Sequence, residues 1–288
     1  MCGCVCLLKG LSIMTPDNTL VASPGLAAAA LPLCLQNVGY KSQTGTQLID
    51  DLSIGFAPGT LTAIVGHNGS GKSTALKLLA NLIPATKGKV LVNGRPASTY
   101  GARDFAKQVA YLAQEPGDGA DYTVEELITL GRFAWHGPFG RLKPSDHDAV
   151  ERAIALAGLA PLRDRAVQTL SGGERQRCWI AVTLAQQSRC LLLDEPISAL
   201  DLSHQLDVLM LLEKLVREDG LCVVAVLHDI NLAARFSDRI VALRGGKLIA
   251  GDTPANIMTP ETLRQIFEID MMVQPHPVHG HPMALATA

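Results

Sequence analysis

Thr60-Leu61-Thr62-Ala63-Ile64-Val65 runs directly into Gly66-His67-Asn68-Gly69-Ser70-Gly71-Lys72-Ser73 and then Thr74. The first six residues are apolar or β-branched, as a strand covered on both faces requires. Beyond the glycines, Leu76, Leu79 and Leu82 recur at helical spacing. A strand, a glycine loop and a helix in that order make a phosphate-binding loop. Glycines let backbone N–H groups converge on phosphate oxygens, and the helix N-terminus adds a partial positive charge. In this reading Gly66, His67, Asn68, Gly69, Ser70, Gly71 and Thr74 surround a nucleotide. Lys72 reaches its β- and γ-phosphates, and Ser73 offers a hydroxyl to Mg²⁺. By itself the loop leaves kinases, GTPases, helicases and transporters open.

A second stretch narrows the choice. Arg189-Cys190-Leu191-Leu192-Leu193-Asp194-Glu195-Pro196 reads as a buried strand ending in two carboxylates. Neighbouring side chains on a strand point to opposite faces, so the two acids can do different work. Asp194 is placed to hold Mg²⁺, and Glu195 to orient or deprotonate an attacking water. A third stretch, Leu170-Ser171-Gly172-Gly173-Glu174-Arg175-Gln176-Arg177, opens a helix shortly before that strand. Read locally, Ser171 and Glu174 form a capping box.

Along the chain the phosphate loop comes first, the Ser171 helix second and the acidic strand third, and in that order they resemble the ATP-binding-cassette family. Within the resemblance, Ser171, Gly172 and Gly173 of one subunit meet the γ-phosphate bound by a second copy. Tyr40 stands where an aromatic stacks on adenine. Gln114, in Tyr111-Leu112-Ala113-Gln114, stands where a glutamine contacts Mg²⁺ or the attacking water and senses a membrane partner. His228 stands where a histidine contacts the γ-phosphate, and Ser198-Ala199-Leu200-Asp201 where a loop pairs across the dimer. Ala113 and Ile197 replace the proline and threonine common at those places. The resemblance covers about residues 33 to 270. It implies ATP and Mg²⁺ as ligands, a second copy and integral membrane permease subunits as partners, and a substrate-binding protein as an indirect one. It also implies a peripheral location on the cytoplasmic face of the inner (plasma) membrane.

The flanking sequence agrees with an α/β architecture. Lys89–Val92, Cys190–Leu193, Cys222–Leu227 and Arg239–Leu243 read as further strands, several of them apolar at every residue. They alternate with helical stretches, which predicts a largely parallel sheet between helices. Strand-like runs vanish between about 115 and 170, where Thr123–Gly131 and Ser145–Ala157 read as helices. With the resemblance, this gives a RecA-like P-loop NTPase core with an inserted helical subdomain at about 115–170 and an antiparallel β portion. Residues 1–32 read as a poorly ordered extension and 33–270 as the ATPase domain. After a helix at Pro260–Ile269, residues 271–288 read as a tail, its prolines and His276, His279 and His281 indicating an extended, solvated segment.

Composition excludes several classes. The 288 residues are 48% hydrophobic and 18% charged, a globular balance. A formal charge of −2 gives no broad attraction to phosphate backbones, so nucleic acid is not an expected partner. Leu20–Leu35 is interrupted by Pro24, Gly25 and Pro32 and is too short to span a bilayer. Of the seven cysteines, Cys2, Cys4 and Cys6 are crowded at the start, while Cys34, Cys178, Cys190 and Cys222 are scattered among apolar residues without paired metal-ligand spacing, and they read as buried, reduced thiols.

The chain from Lys72 to Ser171 is too short to hold the coiled-coil arm of chromosome-maintenance or DNA-repair relatives. One cassette without a fused membrane domain resembles a bacterial importer subunit. The runs Gly131-Arg132-Phe133-Ala134-Trp135-His136-Gly137, Leu227 to Leu243 and Pro275-His276-Pro277 resemble the ATPases of iron(III)-hydroxamate siderophore importers. Haem, catecholate-siderophore and cobalamin importer ATPases resemble it nearly as well, and a non-transport cassette ATPase would share the same nucleotide chemistry.

Overall fold

The computed structural model describes residues 31–117, 119, 121–137 and 140–287. The extension proposed for residues 1–32 therefore lies almost wholly outside the described residues, as do Cys2, Cys4 and Cys6. Leu31 and Pro32 are described and are buried, so the packed unit already includes them.

Two sheets carry the fold. The antiparallel one orders its strands β2–β1–β4–β5, with β1 at Leu33–Lys41, β2 at Gln47–Phe56, β4 at Lys87–Val92 and β5 at Arg95–Pro96. The other has the order β10–β9–β3–β8–β7–β6. Its members are β3 (Thr60–Val65), β6 (Val109–Leu112), β7 (Cys190–Leu193), β8 (Cys222–Val226), β9 (Arg239–Arg244) and β10 (Lys247–Asp252). Neighbours pair parallel from β9 to β6, and β10 alone is antiparallel.

Every residue of β7 and β8 is buried. Alternation explains why such strands need no polar face. Leu191, Leu193, Val223 and Ala225 point into a core shared with α7 (Leu202–Asp219). Cys190, Leu192, Cys222, Val224 and Val226 point the other way, into a core shared with α1 (Lys72–Leu79) and the antiparallel sheet. Cys34, Cys178, Cys190 and Cys222 are free and buried.

Short helices α2 (Ala102–Ala106) and α4 (Phe133–His136) flank the helical region. Its body is α3 (Val124–Thr129), α5 (Pro144–Leu156) and one face of α6 (Gly172–Ala185), which enclose a third core around Leu127, Val150, Ile154, Cys178 and Ala181. Helix α5 starts at Pro144, one residue before the expected Ser145. Its fixed φ suits the first helical position, and Asp146 accepts the Lys143 N–H at 2.9 Å. Arg132 and Asp146 are each 3% exposed and pair at 2.8 Å, while Arg132 Nη1 donates to the Ala185 carbonyl at 2.7 Å.

The C-terminal part departs most from expectation. After α8 (Ile230–Phe236), α9 (Pro254–Ile257) and α10 (Pro260–Phe267), the chain forms a hairpin rather than an unpaired tail, though most of its residues stay exposed or half-buried. Strands β11 (Met271–Pro275) and β12 (Pro282–Ala286) pair from Met271↔Ala286 to Pro275↔Pro282. The prolines thus fall where the ladder ends and a missing N–H costs little. Ala284 is buried, and the Asn231 side chain of α8 receives its N–H at 2.7 Å and donates to its carbonyl at 3.1 Å.

Candidate functional site

The loop between β3 and α1 is held by its backbone. Gly66 has φ 142, and a Cβ there would lie 2.1 Å from the Leu243 carbonyl oxygen. Gly71 has φ 101 and packs on Ile49 and Leu48 of β2. No L-residue takes this path without moving β9 or β2. Lys72 is 5% exposed, and its ammonium donates to the carbonyls of Gly66 at 2.8 Å and His67 at 2.9 Å. Burial draws its pKa below the usual lysine range, against the opposing fields of Glu195 and Asp194. The charge thus waits at the loop on two neutral acceptors that a more strongly charged ligand can replace.

Strand β7 delivers the acids. Asp194 is 2% exposed and accepts from the Ser73 hydroxyl at 2.9 Å and the Tyr111 hydroxyl at 3.3 Å. Burial, then the Asp194 charge, pushes the Tyr111 phenol above its usual range. The hydroxyl of Ser73 and the carboxylate of Asp194 are hard oxygen donors, a set that suits Mg²⁺. Glu195 follows with φ 52 and accepts from Gln114 Nε2 at 2.8 Å. Its other carboxylate oxygen lies 2.7 Å from His228 Nε2. Asp229 caps α8 by accepting the N–H groups of Asn231 and Leu232, which fixes the chain just after His228.

These groups surround one cavity of about 630 Å³, lined by Leu48, Asn68, Gly69, Gly71, Lys72, Ser73, Thr74, Gln114, Glu195 and His228. Of the residues singled out in the sequence, Gly66, His67 and Ser70 form the loop behind it. The His67 ring meets Phe267 edge-on at 5.9 Å, and Ser70 Oγ is buried without a hydrogen-bond partner. Tyr40 sits half-buried on β1 opposite Ile49 and is not among the lining residues.

Ser171, Gly172 and Gly173 do not line the cavity either. They open α6, where Ser171 accepts the Glu174 N–H at 3.3 Å and Glu174 accepts the Ser171 N–H at 2.8 Å. The latter bond holds the Glu174 carboxyl below its usual pKa. Leu48 and Tyr111 escaped the sequence reading. Leu48 reaches the cavity only through the packing of β2. Tyr111 stands three residues before Gln114 in the short run Val109–Leu112, and that run was the available signal.

A strand, glycine loop and helix facing two acids, a glutamine and a histidine define a P-loop nucleotide site on an α/β core. Residues 49–198 match the family described as ABC transporter, and the chain belongs to that family. It is 40% identical over 248 residues to the iron(3+)-hydroxamate import ATP-binding protein FhuC of Bacillus subtilis (strain 168), covering 86% of this chain and 91% of that protein. Identity to the ferric enterobactin transport ATP-binding protein FepC of Escherichia coli (strain K12) is also 40%, over 86% of this chain and 90% of that one. Among solved structures, an ABC transporter in an inward-facing conformation superposes with TM-score 0.78 at 27% identity, covering 90% of this chain and 98% of that chain. A dimeric ATP-binding cassette in a post-hydrolysis state with ADP and Pi superposes with TM-score 0.68 at 27% identity, over 77% and 98%.

Proposed function

We propose that this chain is the ATP-hydrolysing subunit of an importer for iron(III)-hydroxamate siderophores, working as a pair of identical copies on the cytoplasmic face of the membrane. The observation that carries the reading is the convergence of Lys72, the Ser73–Asp194 pair and the Gln114–Glu195–His228 chain on one cavity. Lys72 and the loop N–H groups hold the phosphates of ATP, and Ser73 with Asp194 would hold Mg²⁺. When bound, that ion neutralises charge developing on the phosphates. Glu195 takes the proton of the attacking water, and Gln114 and His228 fix the orientation of its carboxylate. Tyr40 stacks on adenine, and Ser171, Gly172 and Gly173 close the γ-phosphate site of the other copy.

Among the described residues no helix is long and apolar enough to cross a membrane. In this reading cargo passes through separate permease subunits, with a substrate-binding protein delivering it. The cargo assignment draws on the hydroxamate importer relative, and the equal identity to an enterobactin relative makes catecholate siderophores the competing cargo. Purified chain should hydrolyse ATP when Mg²⁺ is added, and affinity-tagged chain should co-purify with an integral membrane protein. Recovery only with soluble partners or DNA would overturn the transport reading.

A further inference from the structure

Helix α7 begins with a turn that touches two functional loops at once. Asp201 caps it, accepting the His204 N–H at 3.0 Å and the Ser203 hydroxyl at 2.9 Å. The same oxygen lies 2.8 Å from His204 Nδ1, which fixes the ring. The ring is laid across Gly173: a Cβ built there would sit 2.4 Å from His204 Cδ2, 2.5 Å from Cγ and 3.0 Å from Nε2. The next residue faces the other way. Gln205 Nε2 donates to the carbonyls of Leu200 at 3.0 Å and Ile197 at 3.3 Å. Ser198 closes that loop on Glu195, its hydroxyl donating to the Glu195 carbonyl at 3.2 Å. One helical turn therefore holds the loop that starts at Glu195 and the helix that opens at Ser171.

We propose that His204 is a positioning residue that couples the two ATP sites of the paired molecule. The inference rests on the two-copy reading above, in which Glu195 acts on ATP held by its own chain while Ser171–Gly173 meets ATP held by the other copy. A shift of the Glu195 loop when its ATP is cleaved moves the first turn of α7. The imidazole passes that movement to Gly173, because a glycine has no side chain to yield and Asp201 prevents the ring from swinging aside. Close-packed contacts of this kind transmit displacement instead of absorbing it.

The test compares purified wild type, His204→Ala and His204→Asn, the last keeping a donor for Asp201 but no ring over Gly173. Three readouts are needed: fluorescent ATP-analogue affinity, the ATP dependence of hydrolysis, and ATP-induced dimerisation in a Glu195→Gln background. Both variants should bind nucleotide as wild type does. Their hydrolysis should lose cooperativity, the Hill coefficient falling from about 2 toward 1, with dimerisation weakened about tenfold, within the range usual for coupled sites. A lowered melting temperature with unchanged cooperativity would mean that the ring only fills space, and would overturn the coupling. Wild type that stays monomeric with ATP and hydrolyses it without cooperativity would overturn the two-copy reading and this inference together.

Discussion

At the scale of single residues, Glu195 is the most constrained group in the site. Its φ of 52 is a backbone state that costs a non-glycine residue about 1–3 kcal/mol, and such strain persists where surroundings over-determine it. Here Gln114 and His228 claim one carboxylate oxygen each, and Ser198 claims the carbonyl. Glu195→Gln should cut ATP turnover by about 10²–10⁴ while leaving nucleotide affinity intact, as removal of a general base does. Near-normal turnover would take the proton-accepting role away from this residue. Gly66→Ala should abolish nucleotide binding, since its Cβ would collide with the Leu243 carbonyl, whereas Gly101→Ala, whose Cβ would come no nearer than 4.0 Å to Asp104 Oδ2, should bind normally. Equal binding by both variants would refute the geometric account of the loop. Spacing alone exposed Lys72, Ser73, Asp194 and Glu195 because each sits at a fixed offset from a strand end. His204 against Gly173 was invisible, since that contact joins two helices through packing.

At the scale of elements, caps and buried pairs do separable jobs. Ser171 caps α6, and its replacement by alanine should cost about 0.5–2 kcal/mol of stability, read by denaturant unfolding. If the same hydroxyl serves the other copy's γ-phosphate, as proposed, hydrolysis should fall far more than that loss explains. A proportionate fall would confine Ser171 to capping. The buried Arg132–Asp146 pair ties α5 to the end of α6, and Asp146→Ala strands the guanidinium, a change worth about 3–5 kcal/mol in other buried pairs. Stability within 1 kcal/mol of wild type would show that water reaches Arg132. Asp201 provides a pH signature. The His204 N–H, then the Ser203 hydroxyl and the His204 ring, hold its carboxyl at about 2 instead of the ordinary 3.8. A depressed folded-state pKa stabilises fully above the unfolded value, and this contribution disappears as pH falls from 3.8 toward 2. A carboxyl titration of Asp201 by NMR should show that low midpoint, and a midpoint near 3.8 would deny the cap. Strands β3, β7 and β9 were legible because their residues are apolar on both faces. The β11–β12 hairpin was not, because its prolines mask a ladder that packing against α8 and α10 makes worth forming.

At the scale of the whole molecule, the phosphate loop and the two acids follow the ends of β3 and β7, on either side of β8, and Ser171 opens a helix that does not line the same cavity. The serine loop that the family resemblance assigns to the site is absent from the cavity lining, and in the proposed pair a second copy would supply it. The order of motifs made this architecture legible before any coordinates, whereas cargo is not encoded in a motor that never touches it. The most direct measurement is therefore uptake of iron-loaded hydroxamate siderophore by cells carrying either this chain or its Lys72→Ala variant, with ferric catecholate, haem and cobalamin run in parallel. The account predicts that Lys72→Ala abolishes hydroxamate uptake and leaves the other three unchanged. Full hydroxamate uptake with the variant as the only copy of the motor would contradict it.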